Sequence, residues 1–218
     1  MMARQTDTFP PILREFLASA RERRVPSGQI MLYEGDIPSE VFILRSGVVK
    51  MYDIDDQGNE KILHLAKAPA VLPFAFFSGM RDPLKWFYTA LTDCEVYVML
   101  VQELEEATLK DSKLSQFLTS EFSLDVHEVF VRLSSLSKTN VRDKLVAALK
   151  FLATCHATER RTGWWRVNFA VSHQLLGDLC GITRESAATV MKELQKEKIV
   201  RSPKLTVLEI KHDELCEL

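Results

Sequence analysis

Residues 171–194 of this chain, VSHQLLGDLCGITRESAATVMKEL, constrain its fold more than any other stretch. Their pattern predicts two short helices broken by a tight turn. Leu175, Leu176 and Leu179 give the first helix a buried side. Gly181 falls where the chain turns sharply, and glycine enters positive φ without a Cβ clash. Thr183 is placed to cap the next helix, its hydroxyl offered to a free N–H of the first turn. Ala187, Val190, Met191 and Leu194 lie at i, i+3, i+4 and i+7 and share one face. Arg184, Glu185, Ala188, Thr189 and Lys192 are left on the other. A helix-turn-helix has this arrangement, because the first turns of its second helix, here 183–197, meet base edges in the major groove of DNA. Amphipathic helix pairs with a glycine turn also occur in proteins that never touch nucleic acid, so the rest of the chain decides.

Its 218 residues suffice for about two domains. A hydrophobic content of 46% supports real cores and argues against disorder. No apolar run reaches the length of a membrane span, and the N-terminus lacks a secretory core, so a cytoplasmic protein without a membrane partner is expected. Cys94, Cys155, Cys180 and Cys216 are far apart and form no C-x-x-C pair. They read as free thiols, with Cys180 packed inside the helix pair and no metal or iron–sulfur cluster expected. The net charge of −2 hides an asymmetry. Residues 1–137 carry 14 Lys and Arg against 20 Asp and Glu, whereas 138–218 carry 14 against 10. A basic module joined to an acidic one fits phosphate binding by one end only.

Phe9–Arg21 reads as a short helix with Ile12, Leu13, Phe16 and Leu17 as its stripe. From Val25 to about Leu100 short alternating runs are punctuated by turn signals such as Arg45-Ser46-Gly47 and Asp55-Asp56-Gln57-Gly58-Asn59. That pattern predicts a β-sandwich or β-roll, with a hairpin joining Val48–Tyr52 to Lys61–Leu65. Val101–Asp111 reads as a surface helix. Phe122, Val126, Val129, Leu133 and Leu136 are then spaced 4, 3, 4, 3, a heptad seam that suits a partner helix in a two-fold dimer. Ser137–Asn140 looks like a hinge, with Thr139 or Asn140 capping a helix lined by Val141, Leu145, Leu149 and Leu152. Trp165, Val167 and Phe169 alternate with Trp164, Arg166 and Asn168 as a half-buried strand. After the helix pair, Ile199–Arg201 and Leu205–Ile210 flank Ser202-Pro203-Lys204, the hairpin of a winged helix.

With these residues in view, the chain resembles the Crp/Fnr family of bacterial transcription regulators over nearly its whole length. Residues 27–50, SGQIMLYEGDIPSEVFILRSGVVK, look like the start of that family's cyclic-nucleotide-binding β-roll. The heptad segment is similar to its dimerisation helix, and 175–194 to its winged helix-turn-helix. The resemblance implies an α+β fold: a jelly-roll-like double-stranded β-roll sensor over 1–111, a dimerisation helix over 112–137, and a winged helix-turn-helix over 138–218. It implies a homodimer that binds double-stranded DNA and meets RNA polymerase. Arg184 and Glu185 fall on positions that read bases in many members, and their chemistry agrees: arginine clamps guanine O6 and N7, glutamate accepts from cytosine N4. Ala188 and Thr189 complete the expected base-reading set. Thr189 stands where an arginine is common and cannot make a bidentate clamp. Ser172, Gln174, Thr183, Lys192 and Lys204 are candidate phosphate contacts.

The sensor end departs from the family pattern. Cyclic-nucleotide binders carry a Gly-Glu pair and an Arg-Ser/Thr-Ala run. Here the matching stretches are Val71–Phe77, without glutamate, and Tyr88-Thr89-Ala90, with Tyr88 in place of the arginine. A cyclic phosphate without its arginine loses the charge-assisted bonds that make such binding strong, so cyclic AMP is not expected as the effector. Phe74, Phe76, Phe77, Tyr88 and Thr89 mark the candidate effector region, with core filling as the plainer reading. No haem is expected, and His64 on its strand reads as structural. A different class, a small-molecule-binding protein using the winged helix to meet another protein, stays open. No Ser/His/Asp set, paired carboxylates, phosphate loop or metal spacing points to an enzyme.

Overall fold

The computed structural model describes residues 16–17, 20–73, 76, 79–159, 163–204, 207–211 and 214–215. The chain divides into two compact units, residues 1–53 with 64–128 and residues 54–63 with 129–218.

The first unit is built on strands β1 (Arg21–Val25), β2 (Ile30–Leu32), β3 (Glu40–Ser46), β4 (Val48–Ile54), β5 (Glu60–Lys67), β6 (Ala70–Leu72), β7 (Phe87–Ala90) and β8 (Cys94–Leu100). They form two four-stranded sheets, ordered β1-β8-β3-β6 and β2-β7-β4-β5. Val41, Phe42, Ile43 and Leu44 are buried in succession on β3, an interior strand of its sheet. The turn from β3 to β4 needs glycine: Gly47 has φ +95°, and a Cβ there would lie 2.6 Å from the Asp93 carbonyl and the Cys94 sulfur. The expected helix over Phe9–Arg21 falls mostly outside the described residues. It stops short of Arg21, which opens β1 and pairs with Val98 of β8.

Helix α1 (Val101–Lys110) follows β8, its first turn closed by Glu103, which accepts a 3.0 Å bond from the Leu100 N–H. Helix α2 (Ser112–Leu136) begins at Asp111, whose carboxylate accepts from the Lys113 and Leu114 amides. Leu114 and Leu118 bury its first turns. Two turns on, Asp125 lies 3.4 Å from Nε2 of His64, a fully buried residue of β5. Burial and the neighbouring Asp125 charge push the Glu121 carboxyl above its usual range.

The second unit opens with the tip of the β4–β5 hairpin. Asp55 accepts from the Asn59 and Gln57 amides at 2.8 and 3.0 Å, and the Asn59 amide foremost holds its pKa at about 2. Helix α3 (Val141–His156) is capped by Asn140, which accepts from the Asp143 N–H at 2.7 Å. Leu145, Leu149 and Leu152 are fully buried, while Val141 overhangs the core at 38% exposure. Strands β9 (Ala157–Glu159), β10 (Trp164–Val167), β11 (Val200–Lys204) and β12 (Val207–Lys211) form a sheet ordered β11-β12-β10-β9.

The expected strand alternation needs correction. β10 ends at Val167, and Trp164, which alternates with the Val167 set alongside Arg166 and Asn168, is buried. The Arg201 guanidinium lies 4.0 Å from its ring centroid and the Lys211 ammonium 5.5 Å, so two long cationic side chains cover the indole.

Candidate nucleic-acid interface

Helix α4 (His173–Cys180) starts at Ser172, whose Oγ accepts from the Leu175 N–H at 3.0 Å. Leu175, Leu176 and Leu179 are buried, as their spacing predicts. The helix ends at Gly181 with φ +63° and ψ +40°, the left-handed conformation that suits glycine. Helix α5 (Arg184–Lys196) begins three residues later. Thr183 caps it, accepting from the Ser186 N–H at 3.2 Å and bonding the Ser186 hydroxyl at 2.9 Å.

Gly177 is the residue that the sequence pattern passed over. Its carbonyl accepts from the amides of both Gly181 and Ile182, which closes the turn. A Cβ at Gly177 would lie 2.8 Å from the Ile182 carbonyl, so the two helices meet as closely as they do only with glycine there. Cys180, inside the pair, is buried, and burial pushes its thiol up to about 11. At the far end of α5, Arg142 of α3 reaches Glu197 at 2.6 Å and Glu193 at 3.6 Å. Helix α5 thus has a cap at its start and an ion pair near its end.

Ala187, Val190, Met191 and Leu194 form the buried face of α5. Arg184, Glu185, Thr189 and Lys192 are exposed on the opposite side and Ala188 is half-buried between the two. Five candidate residues therefore share one surface of a helix just over three turns long. Thr189 has already used its proton: its hydroxyl donates to the Glu185 carbonyl at 3.0 Å, leaving its oxygen and methyl group as contact points. The phosphate candidates are more scattered. Ser172 and Thr183 sit at the starts of the two helices and are exposed. The Gln174 amide donates to Asp178 at 2.7 Å, so one of its donors is spent within α4. Lys204 ends β11 in register with Val207; its side chain lies outside the described features.

Behind the wing, Glu209 of β12 receives Arg166 of β10 on one side and Arg201 of β11 on the other, at 2.5 and 2.7 Å. Burial by itself would raise this carboxyl; the hydrogen bonds and charges of the two arginines overcome it and hold it below the usual range. The three residues are direct cross-strand neighbours, so the sheet register makes the network.

The description "Cyclic nucleotide-binding domain" matches residues 22–111, and "Crp-like helix-turn-helix domain" matches residues 144–216. The chain belongs to the Crp/Fnr family of transcription regulators. It is 27% identical over 200 residues to the fumarate and nitrate reduction regulatory protein of Vibrio cholerae, an alignment covering 91% of this chain and 78% of that one. Against the HTH-type transcriptional regulator ArcR of Staphylococcus haemolyticus it is 25% identical over 188 residues, covering 86% and 81%. The fold of FixK2 from Bradyrhizobium japonicum superposes with a TM-score of 0.74 at 17% identity, over 91% of this chain and 96% of that chain.

In this Crp/Fnr protein three residues of the candidate effector region are described. Phe76, Tyr88 and Thr89 are all buried; Phe74 and Phe77 lie outside the described residues. Phe87 stacks on Tyr52 with centroids 5.4 Å apart, and the Thr89 hydroxyl donates to the Tyr52 hydroxyl at 3.3 Å. Arg81, the one arginine between residues 70 and 90, pairs with Glu105 and donates to the Phe76 and Met80 carbonyls.

The heptad positions also separate on α2. Phe122, Val126, Val129 and Leu136 are half-buried, while Leu133 is 62% exposed. Phe130, which the heptad count left out, is 64% exposed and shares the face of Val126 and Leu133. Among the described residues no helix is long and apolar enough to cross a membrane.

Proposed function

We propose that this regulator acts as a homodimer, with α5 of each subunit entering the major groove at one half of a two-fold DNA site. The observation that carries this reading is the exposed row Arg184, Glu185, Thr189 and Lys192, set against the buried row of the same helix. Arg184 and Glu185, at the first turn, read a guanine and a cytosine; Thr189 offers its methyl group to a thymine and its oxygen to one donor; Ala188 leaves room for close approach. Ser172, Gln174, Thr183, Lys192 and Lys204 set the register on the phosphates. Dimerisation runs along Phe122, Val126, Val129, Leu133 and Leu136, with Phe130 beside them. Half-sites then lie about one duplex turn apart. RNA polymerase is the partner through which a bound regulator acts on transcription.

The effector is something other than cyclic AMP, or the dimer binds DNA without one. A cyclic phosphate needs a cation in its pocket. Tyr88 is packed where the family's arginine would stand, and Arg81 is committed to Glu105. The domain matching the cyclic-nucleotide family keeps the fold while its charged contacts are replaced by aromatic packing.

Selection of bound duplexes from a random pool tests the reading. It should return a two-fold repeat with half-sites about one turn apart. Recovery of single, unpaired sites, or no enrichment at all, would overturn it. Calorimetry with cyclic AMP should show no sub-micromolar binding; a sub-micromolar dissociation constant would sink the effector part alone.

A further inference from the structure

Among the described residues the largest fully buried side chain belongs to Arg132, which is 2% exposed. It lies on α2, four residues before the helix ends, within the second unit. Its Nη2 donates twice, to the Ile62 carbonyl at 3.2 Å and to the Leu179 carbonyl at 2.5 Å. The guanidinium carbon sits 5.5 Å from the centroid of the Phe151 ring. Among the described residues Nε and Nη1 meet no acceptor and no carboxylate forms an ion pair with the group. Burial pushes the guanidinium pKa down from its ordinary value.

A buried cation without a counter-ion is costly, and an apolar residue of similar volume would pack at least as well. Core filling therefore does not explain an arginine here. Its two acceptors do. Ile62 belongs to the hairpin tip of 54–63, and Leu179 lies in the last turn of α4, where helical carbonyls lack backbone partners and favour positive charge. The Leu179 carbonyl stands two residues before Gly181, the pivot of the helix-turn-helix. One nitrogen thus ties the hairpin tip to the turn that aims the recognition helix.

We infer that Arg132 is a positioning residue for DNA recognition: it latches the 54–63 hairpin tip to the end of α4 and so fixes the attitude of α5. This rests on the DNA-reading role proposed for α5. Arg132 touches no base or phosphate in this account, which separates it from Arg184 and Lys192.

The test uses the full-length protein, with Arg132→Leu as the first variant and Arg132→Lys as the second. Hydrogen exchange should speed up about tenfold in two peptides far apart in sequence, 54–63 and 177–183, while α1 keeps its protection. Affinity for the selected duplex should fall about tenfold with the slope of log affinity against log salt unchanged, since no phosphate contact is lost. The lysine variant keeps the charge, so it guards against a folding failure, but one ammonium does not span both carbonyls; protection should fall in at least one of the two peptides. Unchanged exchange in 54–63 and 177–183 in both variants would overturn the latch. So would a salt slope shallower by about one, which marks a direct phosphate contact. Should the wild-type protein bind no duplex, the role proposed for α5 fails, and the exchange measurements still decide whether the latch exists.

Discussion

The two ends of this regulator treat polar side chains in opposite ways. At the recognition helix, Arg184, Glu185 and Lys192 are held out in solvent by a helix whose other face is buried. In the β-unit, Tyr52, Tyr88 and Thr89 are packed inward, and Thr89 and Tyr52 bond each other. A surface that keeps charge exposed on a rigid, capped element is ready to bind an external polyanion. A pocket region whose polar groups satisfy one another has no need of a charged ligand. On the reading proposed above, the helix keeps Arg184 and Glu185 for base contacts and carries Thr189 where an arginine is common, while the β-unit carries Tyr88 where the family's cyclic-nucleotide binders have their arginine.

The largest effect should come from breaking the pairing on which the exposed row depends. Phe130→Asp combined with Leu133→Asp places charges on the exposed apolar face of α2. Sedimentation should then report a monomer, and binding to a two-fold site should fall by more than about a hundredfold, because a single half-site contributes only part of the contact free energy. A dimer with undiminished affinity would move the interface elsewhere.

Gly177→Ala should come next. Its Cβ would press on the Ile182 backbone at 2.8 Å, which an adjacent side chain cannot relieve. A loss of about 1–3 kcal/mol in stability of the second unit is expected from overpacking, read by denaturant titration. Gly181→Ala, with nothing within 4 Å but φ at +63°, should cost about 1–2 kcal/mol through backbone strain alone. Equal tolerance of both substitutions would contradict the close helix approach.

Thr183→Ala removes the cap of α5 and should cost about 0.5–2 kcal/mol. Thr183→Ser should recover most of it, and a silent alanine variant would show that Arg142 alone holds the helix.

The smallest effect lies at the hairpin tip. Asp55 titrates near 2 instead of its ordinary 3.8. A carboxyl with a depressed folded-state value contributes stability that is present above its unfolded value and lost as pH falls through the folded one. Exchange protection of the Asn59 amide should therefore hold above pH 4 and fade toward pH 2. Asp55→Asn should remove that pH dependence; persistence of the dependence would assign it to another group.

How legible the molecule was differs between the same two regions. The helix pair could be read closely because its signals are local: leucine spacing, a left-handed glycine and a capping threonine each act within one or two turns. The cap at Thr183 follows from side-chain chemistry alone, and Asn140 is one of two neighbouring residues that chemistry offers for α3; Ser172, read only as a phosphate candidate, also proves to be a cap. Long-range features were hidden. Gly177 looks like an ordinary helical glycine until Ile182 folds back against it. Trp164 alternates like a surface residue, and only β11 and β12 supply the cations that cover it. Arg132 stands at a position that a heptad count leaves polar and exposed, and nothing nearby in sequence announces two carbonyl partners 70 and 47 residues away. Phe130 escapes notice for a related reason: a strict heptad count leaves it off the seam, although its side chain is more exposed than any of the five seam residues.

The central claim, that the first turns of α5 read bases, is tested most directly with Arg184→Ala and Lys192→Ala on a panel of duplexes differing by one base pair at each position of the selected site. The account predicts that Arg184→Ala costs about 1–3 kcal/mol and relaxes preference at one base pair per half-site, while Lys192→Ala weakens all duplexes alike and makes the salt slope shallower by about one. If Arg184→Ala leaves every base preference intact, the helix does not read sequence through its amino-terminal end and the account is wrong.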